Sequence, residues 1–460
     1  MKDCKNLQIA YIGGGSRGWA WQLMRDLALE KELCGTVKLY DIDYEASKDN
    51  EKIGNSIGKI NNDISVWKYE ACEKIDDALT GSDFVVISIL PGTFDEMESD
   101  VHTPEKYGIY QSVGDTTGPG GIIRALRTIP MFQTIAKAVE RFCPDAWVIN
   151  YTNPMTVCVK TLYETFPKIK AFGCCHEVFA TQKLLAASLE KVLGIKAPSR
   201  EEIKTTVTGI NHFTWLTEAH YKNIDLFPIY EKFVSEYYDE GYTSNEDKNH
   251  WMNNVIESCQ RVKFDLFKKY GYIAAAGDRH LAEFNPGYIY LKNPQQVKEW
   301  KFGLTSVKWR KEDLKRRIEE SRQYISKEKT FEIKRSGEEG VKQMKALLGL
   351  SELITNVNIP NYGQIPNLPI GAVVETNACF RDDMVTPLFA GNVPEESYPL
   401  IARVTGVQEL TVKAGINRDL NMAYQAFIND PLVTIPTEES KKLFDEMIEN
   451  TKKYLGDYDV

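Results

Sequence analysis

No stretch of the sequence approaches the roughly 18 uninterrupted apolar residues of a spanning helix, and the mean hydropathy is −0.36. A membrane partner is therefore not expected. Excess positive charge is missing too: Lys and Arg number 56 against 65 Asp and Glu, a formal charge of −9. Such a chain offers no basic face to a phosphate backbone, which excludes nucleic acid as a partner. With 31 glycines and 19 prolines in 460 residues, a collagen-like chain is also out. Nor is there a disulfide framework, because the nine cysteines are an odd number, scattered along the chain. Cys174 and Cys175 are adjacent and poor partners for each other. The opening MKDCKNLQIAYIGG runs straight into a strand, without the apolar core of a secretion signal. A reducing, cytoplasmic setting is the expectation, with thiols that are free or metal-bound.

What is present is an ordinary globular composition, 43% hydrophobic and 26% charged. A chain of this length predicts two large lobes. In the first half, short apolar runs alternate with helical patterns. Strands are expected at Ile9–Ile12, Val37–Tyr40, Phe84–Ile89, Trp147–Ile149 and Lys170–Phe172, and helices at 18–31, 124–142 and 154–166. That alternation means βαβ units, and so a doubly wound, Rossmann-like parallel sheet over residues 1–200. Residues 201–460 read as a mixed α+β lobe for substrate, metal and oligomer contacts, the whole resembling lactate or malate dehydrogenase. Residues 203–222 alternate like sheet, while 223–270 and 293–350 look mainly helical. The charged stretch 308–335 reads as a solvated helix or a lid. Residues 359–369, with three prolines, predict an ordered loop before a strand at Ala372–Glu375.

Several motifs carry chemistry. Gly13, Gly15 and Gly18 form G-x-G-x-x-G directly after the first strand and at the start of the first helix. The first glycine permits the tight turn, the second lets backbone approach a pyrophosphate, and the third lets helix pack on sheet. Gly13, Gly14, Gly15, Ser16 and Arg17 are thus candidate cofactor contacts, with the helix N-terminus favouring an anion. Asp41, ending the second strand, stands where an acid would bind a ribose hydroxyl, which favours NAD over NADP. Asn153, before Pro154 at another strand end, either presents its amide to a sugar or cofactor hydroxyl or caps the next helix. Gly173-Cys174-Cys175-His176-Glu177 sets a thiol beside an imidazole, which suits a transition metal; His212 stands farther on. The glycine-rich segment 114–121 offers Asp115 to a substrate, or is simply a tight connection. Residues 277–284, GDRHLAEF, pack acids, a base and an imidazole into eight positions, a catalytic candidate by composition.

Taken in order, IAYIGGGS, NYTNPM, GCCHEV, GINHFTW, GDRHLAEF and NVNIPNYGQIPNLPIGAVVETN resemble glycoside hydrolase family 4, the NAD- and divalent-metal-dependent glycosidases. Cys175-His176-Glu177-Val178 looks like the form in the α-galacturonidase branch, which acts on pectin-derived oligosaccharides. The resemblance implies NAD+ and Mn2+ (or a similar ion) as cofactors. It also implies Cys175 and His212 as metal ligands, His176 as the acid and Asn153 as a sugar contact. The family base is often a tyrosine, and none stands at 278–280 here. Asp278 is the first choice, with His280 second. A uronate substrate needs a cation, for which Arg279, Arg124, Arg127 and Arg17 are all candidates. The implied reaction is redox-neutral hydrolysis of an α-galacturonide: oxidation at C3, loss of the C2 proton, elimination at C1, water addition and return of the hydride. An α-glucosidase, α-glucuronidase or α-galactosidase of the same mechanism stays open, as does an NAD-dependent 2-hydroxyacid dehydrogenase. Family members are commonly homo-dimers or tetramers.

Overall fold

The computed structural model describes residues 4, 6–60, 65–243, 258–456 and 458. Its framework is a nine-stranded sheet in the order Met384–Pro387, Val373–Arg381, Leu353–Pro360, Lys170–Gly173, Trp147–Asn150, Phe84–Ile87, Leu7–Ile12, Gly35–Tyr40 and Trp67–Cys72. The parallel part comprises β1 (Leu7–Ile12), β2 (Gly35–Tyr40), β3 (Trp67–Cys72), β4 (Phe84–Ile87), β5 (Trp147–Asn150) and β6 (Lys170–Gly173). The central strands β4 and β5 are buried along their whole length because helices cover both faces, while β2 and β3 at the edge carry partly exposed Lys38 and exposed Lys68. Ile9 and Tyr11 of β1 pack with Trp21 and Met24 on one side, while Ala10 and Ile12 pack with Val85, Ile87 and Ile135 on the other. Each such side chain removed from water contributes roughly 1.5–3 kcal/mol, so the parallel sheet positions its strand ends firmly.

A second sheet holds β7 (Ile203–Ile210), β8 (Phe213–Tyr221), the two-residue β9 (Ile224–Asp225) and β10 (Ile273–Ala274). The alternation expected over 203–222 is therefore a hairpin, with Asn211 and His212 at its turn. Three further strands return to the first sheet. They are β11 (Leu353–Pro360), β12 (Val373–Arg381) and β13 (Met384–Pro387), all antiparallel, with Asn358 of β11 opposite Gly173 of β6. Phe380 of β12 meets Phe172 of β6 edge to face at 5.1 Å. The sheet begun within residues 1–200 thus draws its last three strands from beyond residue 350.

Several boundaries differ from the sequence expectation. The helix expected at 124–142 begins at Gly118, since Gly118-Pro119-Gly120-Gly121 form its first turn. The expected loop 359–369 overlaps the end of β11, and the loop proper is organised by Asn361. Its amide donates to the carbonyls of Ile365 and Leu368 and its oxygen accepts from the Gly363 and Ile365 N–H groups. The charged stretch 308–335 is a helix from Val307 to Ser326, largely exposed but not detached. Its C-terminal end is anchored by Tyr324 and by the following Phe331, which meet Trp21 edge-on at 5.4 and 6.2 Å. The helical expectation over 223–270 is met at Phe227–Tyr237 and Arg261–Tyr270; residues 244–257 lie outside the described residues.

Candidate active site

The glycine loop is held from below. The N–H groups of Gly13 and Gly14 both donate to the Tyr40 carbonyl, and Gly13 lies at φ +96°, where an added Cβ would meet the Ser88 carbonyl oxygen at 2.0 Å. Only glycine fits there. Asp41 Oδ2 accepts from Gly15 N at 3.0 Å and its Oδ1 from Asp43 N at 3.0 Å. Asn50, itself fixed by Trp21 Nε1 at 2.8 Å, donates to the carbonyls of Gly14 and Ser16. Ser16 Oγ accepts from Trp19 N, and the Arg17 carbonyl accepts from Arg317 Nη1 at 3.0 Å. The helix Trp19–Ala28 begins without a side-chain cap and without an acid in its first turn. Apart from Trp19 N, which Ser16 Oγ takes, its first turn has no side-chain cap, so the loop suits a dinucleotide phosphate. All six residues expected here, Gly13 to Arg17 and Asp41, meet at this loop.

At the far ends of β5 and β6 a second constellation forms. Asp115 precedes the helix Gly118–Phe142, His212 sits at the β7–β8 turn with φ 64°, and His280 lies on the short helix Asp278–Glu283. One ligand atom from each lies within 4.8 Å of the other two. The imidazoles stack at 3.7 Å. Thr116 Oγ donates its only proton to Asp115 Oδ1 at 2.8 Å and lies 2.9 Å from His212 Nδ1. His212 Nδ1 must then be the donor to that hydroxyl, which leaves the Nε2 lone pair free. Burial, aided by His280, holds the His212 pKa down at about 3, and burial lowers His280 as well. Burial pushes the Asp115 carboxyl up, but His280, Arg124 and His212 outweigh it and hold it well below the usual range. The Asp115 carboxylate and the neutral His212 imidazole are fitting donors for a divalent ion, with the second neutral imidazole, His280, beside them.

Glu177, at the start of the helix Glu177–Leu193, closes one side. Its Oε2 accepts from Gly277 N at 2.7 Å, and its Oε1 stands 3.9 Å from His280 Nε2. Burial raises this carboxyl, yet His280, His212 and His176 bring it to about 2. Cys175 is outside the three-atom cluster and borders it through its neighbours, with the Asn211 side chain and the Glu177 N–H both hydrogen-bonded to its sulfur. Burial, with the Glu375 and Glu177 charges, pushes this thiol well above its usual range. Glu375, lifted by burial to about 7, accepts from Asn211 at 3.1 Å and Asn356 at 2.6 Å, and Asn356 also donates to the Cys175 carbonyl.

Asn153 Nδ2 donates to Asp115 Oδ2 at 3.3 Å, its backbone carbonyl accepts from Arg124 Nε, and its Oδ1 is buried without a partner. His176, half-exposed, lies between the two constellations. Its ring faces Trp19 at 6.1 Å and its Nδ1 pairs with Glu338 Oε1 at 3.0 Å. Burial disfavours its charge, but Glu338 and Glu177 prevail and raise it to about 9.

Two sequence expectations need correction. Asp278 does not face the cluster: it is fully buried and its Oδ1 accepts from Lys263 N at 3.1 Å, at the start of the helix Arg261–Tyr270. It serves that helix terminus, a role its spacing in GDRH concealed. Arg279 lies near Asp115 and Glu177, but its Nε donates to the Gly303 carbonyl and its Nη2 to the Ser112 carbonyl and the Thr305 hydroxyl. Much of its fork is already engaged by protein. Glu177, Asn211, Glu338, Asn356 and Glu375 were not singled out. Glu177, Asn211, Asn356 and Glu375 fall inside quoted motifs, whereas nothing local marks Glu338.

Comparison with known proteins adds to this geometry. Residues 8–191 match the model for family 4 glycosyl hydrolases, and residues 207–433 match the one for the C-terminal domain of family 4 glycosyl hydrolases. An alpha-galacturonidase of Thermoanaerobacterium saccharolyticum is 62% identical over 455 residues, covering 99% of this chain and 98% of that protein. The solved structure of lplD from Bacillus subtilis, described as a glucosidase, superposes with a TM-score of 0.92 at 51% identity, covering 96% and 100% of the two chains. A 6-phospho-alpha-glucosidase from gut microorganisms, in complex with NAD and Mn2+, shares the fold at a TM-score of 0.80 and 20% identity, covering 98% and 99%.

Proposed function

The chain belongs to the family 4 glycosyl hydrolases, and on that footing we propose that it hydrolyses α-D-galacturonides with NAD+ and a divalent ion such as Mn2+. The observation that carries this reading is the meeting of Asp115, His212 and His280 within 4.8 Å, one hydrogen bond from Asn153. The galacturonide is the substrate class named for the 62% identical relative. The dinucleotide supplies reversible hydride acceptance, and the ion supplies Lewis-acid polarisation of the sugar oxygens.

The chain's own residues supply the rest. Gly13 to Arg17 and Asp41 hold the dinucleotide in the lobe of residues 1–200. Asp115 and His212 would hold the ion; Cys175, which the family resemblance implies as a ligand beside His212, borders this pair rather than joining it. Asn153 offers its unpartnered Oδ1 to a sugar hydroxyl. His280, neutral and backed by Glu177, takes the proton from C2, because a carboxylate beside an imidazole stabilises the cation formed. That assignment replaces Asp278. His176, kept protonated by Glu338, delivers a proton to the departing oxygen at C1.

The test is a panel of p-nitrophenyl α-galacturonide, α-glucuronide, α-glucoside and α-galactoside, with and without NAD+, Mn2+ and thiol reductant. Cleavage of the galacturonide that requires NAD+ and Mn2+, leaves no net NADH and exchanges a C2 deuterium with solvent is the expected result. Stoichiometric NADH, or retention of the label during turnover, would refute the mechanism. His280→Ala should abolish the exchange while keeping Mn2+ affinity; loss of Mn2+ binding instead would make His280 a ligand.

A further inference from the structure

We propose that Arg310 receives the carboxylate that distinguishes a uronic acid from a neutral sugar, an assignment that rests on the galacturonide reading above. A carboxylate entering a buried site needs a cation with unspent N–H donors, because an unpaired charge there is costly. The arginines around the site differ in this respect. Arg127 is committed to Asp100 through both Nη atoms and to the Pro91 carbonyl through Nε. Arg17 lies on the glycine loop beside Asp49. Arg279 is engaged by Gly303, Ser112 and Thr305. Arg124 gives its Nε to the Asn153 carbonyl, and although its Nη1 has no partner, the side chain is only 5% exposed and closed to an incoming group.

Arg310 is different. Among the described residues no hydrogen bond or ion pair uses its guanidinium, although the side chain is only partly exposed. It stands one turn into the helix Val307–Ser326, whose start is tied to the segment that carries Asp115. Thr305 N donates to the Ser112 carbonyl at 3.3 Å, and Val307 N donates to His102 Nε2 at 3.3 Å. Ser306 caps the helix, with its Oγ accepting from Trp309 N. Two acids act on Arg310, Asp115 and Asp313. Asp313 is already paired with Arg316 and Arg317. Asp115 faces the imidazole pair, so an ion bound there would draw on the remaining negative charge. A partly desolvated guanidinium, unbonded and short of a counter-charge, is a receptor for an anion, and its planar fork matches both oxygens of a carboxylate.

The experiment uses holoenzyme loaded with NAD+ and Mn2+ and measures D-galacturonate and D-galactose binding by calorimetry. Wild type, Arg310→Gln and Arg310→Lys are compared, with melting curves as the check on folding. The wild type should prefer galacturonate. Arg310→Gln should weaken galacturonate by about 10–100-fold, the size of one charge-assisted contact, with a far smaller change for galactose. Arg310→Lys should recover part of the preference. If Arg310→Gln keeps the wild-type preference, or loses both sugars equally, the assignment falls. If wild type shows no preference, the galacturonide reading itself falls, a distinguishable failure.

Discussion

Glu283 is a buried carboxyl held in an unusual state. Its Oε1 accepts from the Val113 and Gly114 N–H groups at 2.7 and 3.0 Å, while its Oε2 is buried without a partner. Burial lifts its pKa from an ordinary 4.5 to about 8. Below the lower value the group is protonated in folded and unfolded chains alike. Between the two values the unfolded chain ionises and the folded chain does not. Stability therefore falls as pH rises across this window, by up to about 1.4 kcal/mol per pH unit, and levels off above about 8. Glu283→Gln keeps the acceptor and cannot ionise. Urea melts from pH 5 to 9 should show wild type losing ground to Glu283→Gln up to about pH 8; a gap that does not vary with pH would contradict the burial argument. Gly13 gives a second residue-scale prediction. Gly13→Ala would drive a Cβ into the Ser88 carbonyl at a left-handed φ, so NAD+ affinity should fall at least tenfold and the melting temperature should drop. A variant titrating NAD+ like wild type would show that the loop is not held as described.

At the scale of elements, the segment that carries Asp115 has no regular structure of its own before Gly118, and it is clamped from two sides. Glu283 holds Val113 and Gly114, and Asp430 Oδ2 accepts from Thr117 Oγ1 and Gly118 N, each at 2.9 Å. Asp430→Ala would leave those donors buried and unmatched, at about 1–3 kcal/mol each. The expected outcome is a lower melting temperature together with weaker Mn2+ binding in a fluorescence or calorimetric titration. Unchanged Mn2+ affinity in the destabilised protein would show that Asp115 does not depend on this clamp. The clamp also explains what the sequence could and could not say. Gly13 to Asp41 was legible because strand, turn, helix and acid follow one another within about thirty residues. His212 and His280 were visible as residues but not as neighbours, since 68 positions separate them and the β7–β8 hairpin brings them together. Asp278 was misjudged because composition marks a titratable group without saying which way it points. Arg310 sat in a charged stretch that composition reads as a solvated helix, so nothing local set it apart from its neighbours.

For the molecule as a whole, the strand order decides what can fold alone. Reading strands against helices reveals the βαβ series of the first 200 residues, but β11 to β13 carry no local sign that they join the same sheet, because only long-range pairing puts them there. Without them β6 becomes an edge, and the core on one face of the sheet loses Val357, Ile359, Ala378 and Phe380, all buried against Phe172 and its neighbours. Burial of four such side chains is worth on the order of 5 kcal/mol or more, comparable to the whole stability of a typical domain. An exposed β6 edge beside uncovered apolar surface also invites association. A fragment of residues 1–200 should therefore be aggregation-prone, show no cooperative thermal transition by circular dichroism, and bind NAD+ at least tenfold more weakly than the full chain. If that fragment melts cooperatively as a monomer and binds NAD+ at full strength, then the dinucleotide lobe is self-sufficient and the returning strands serve the site rather than the fold.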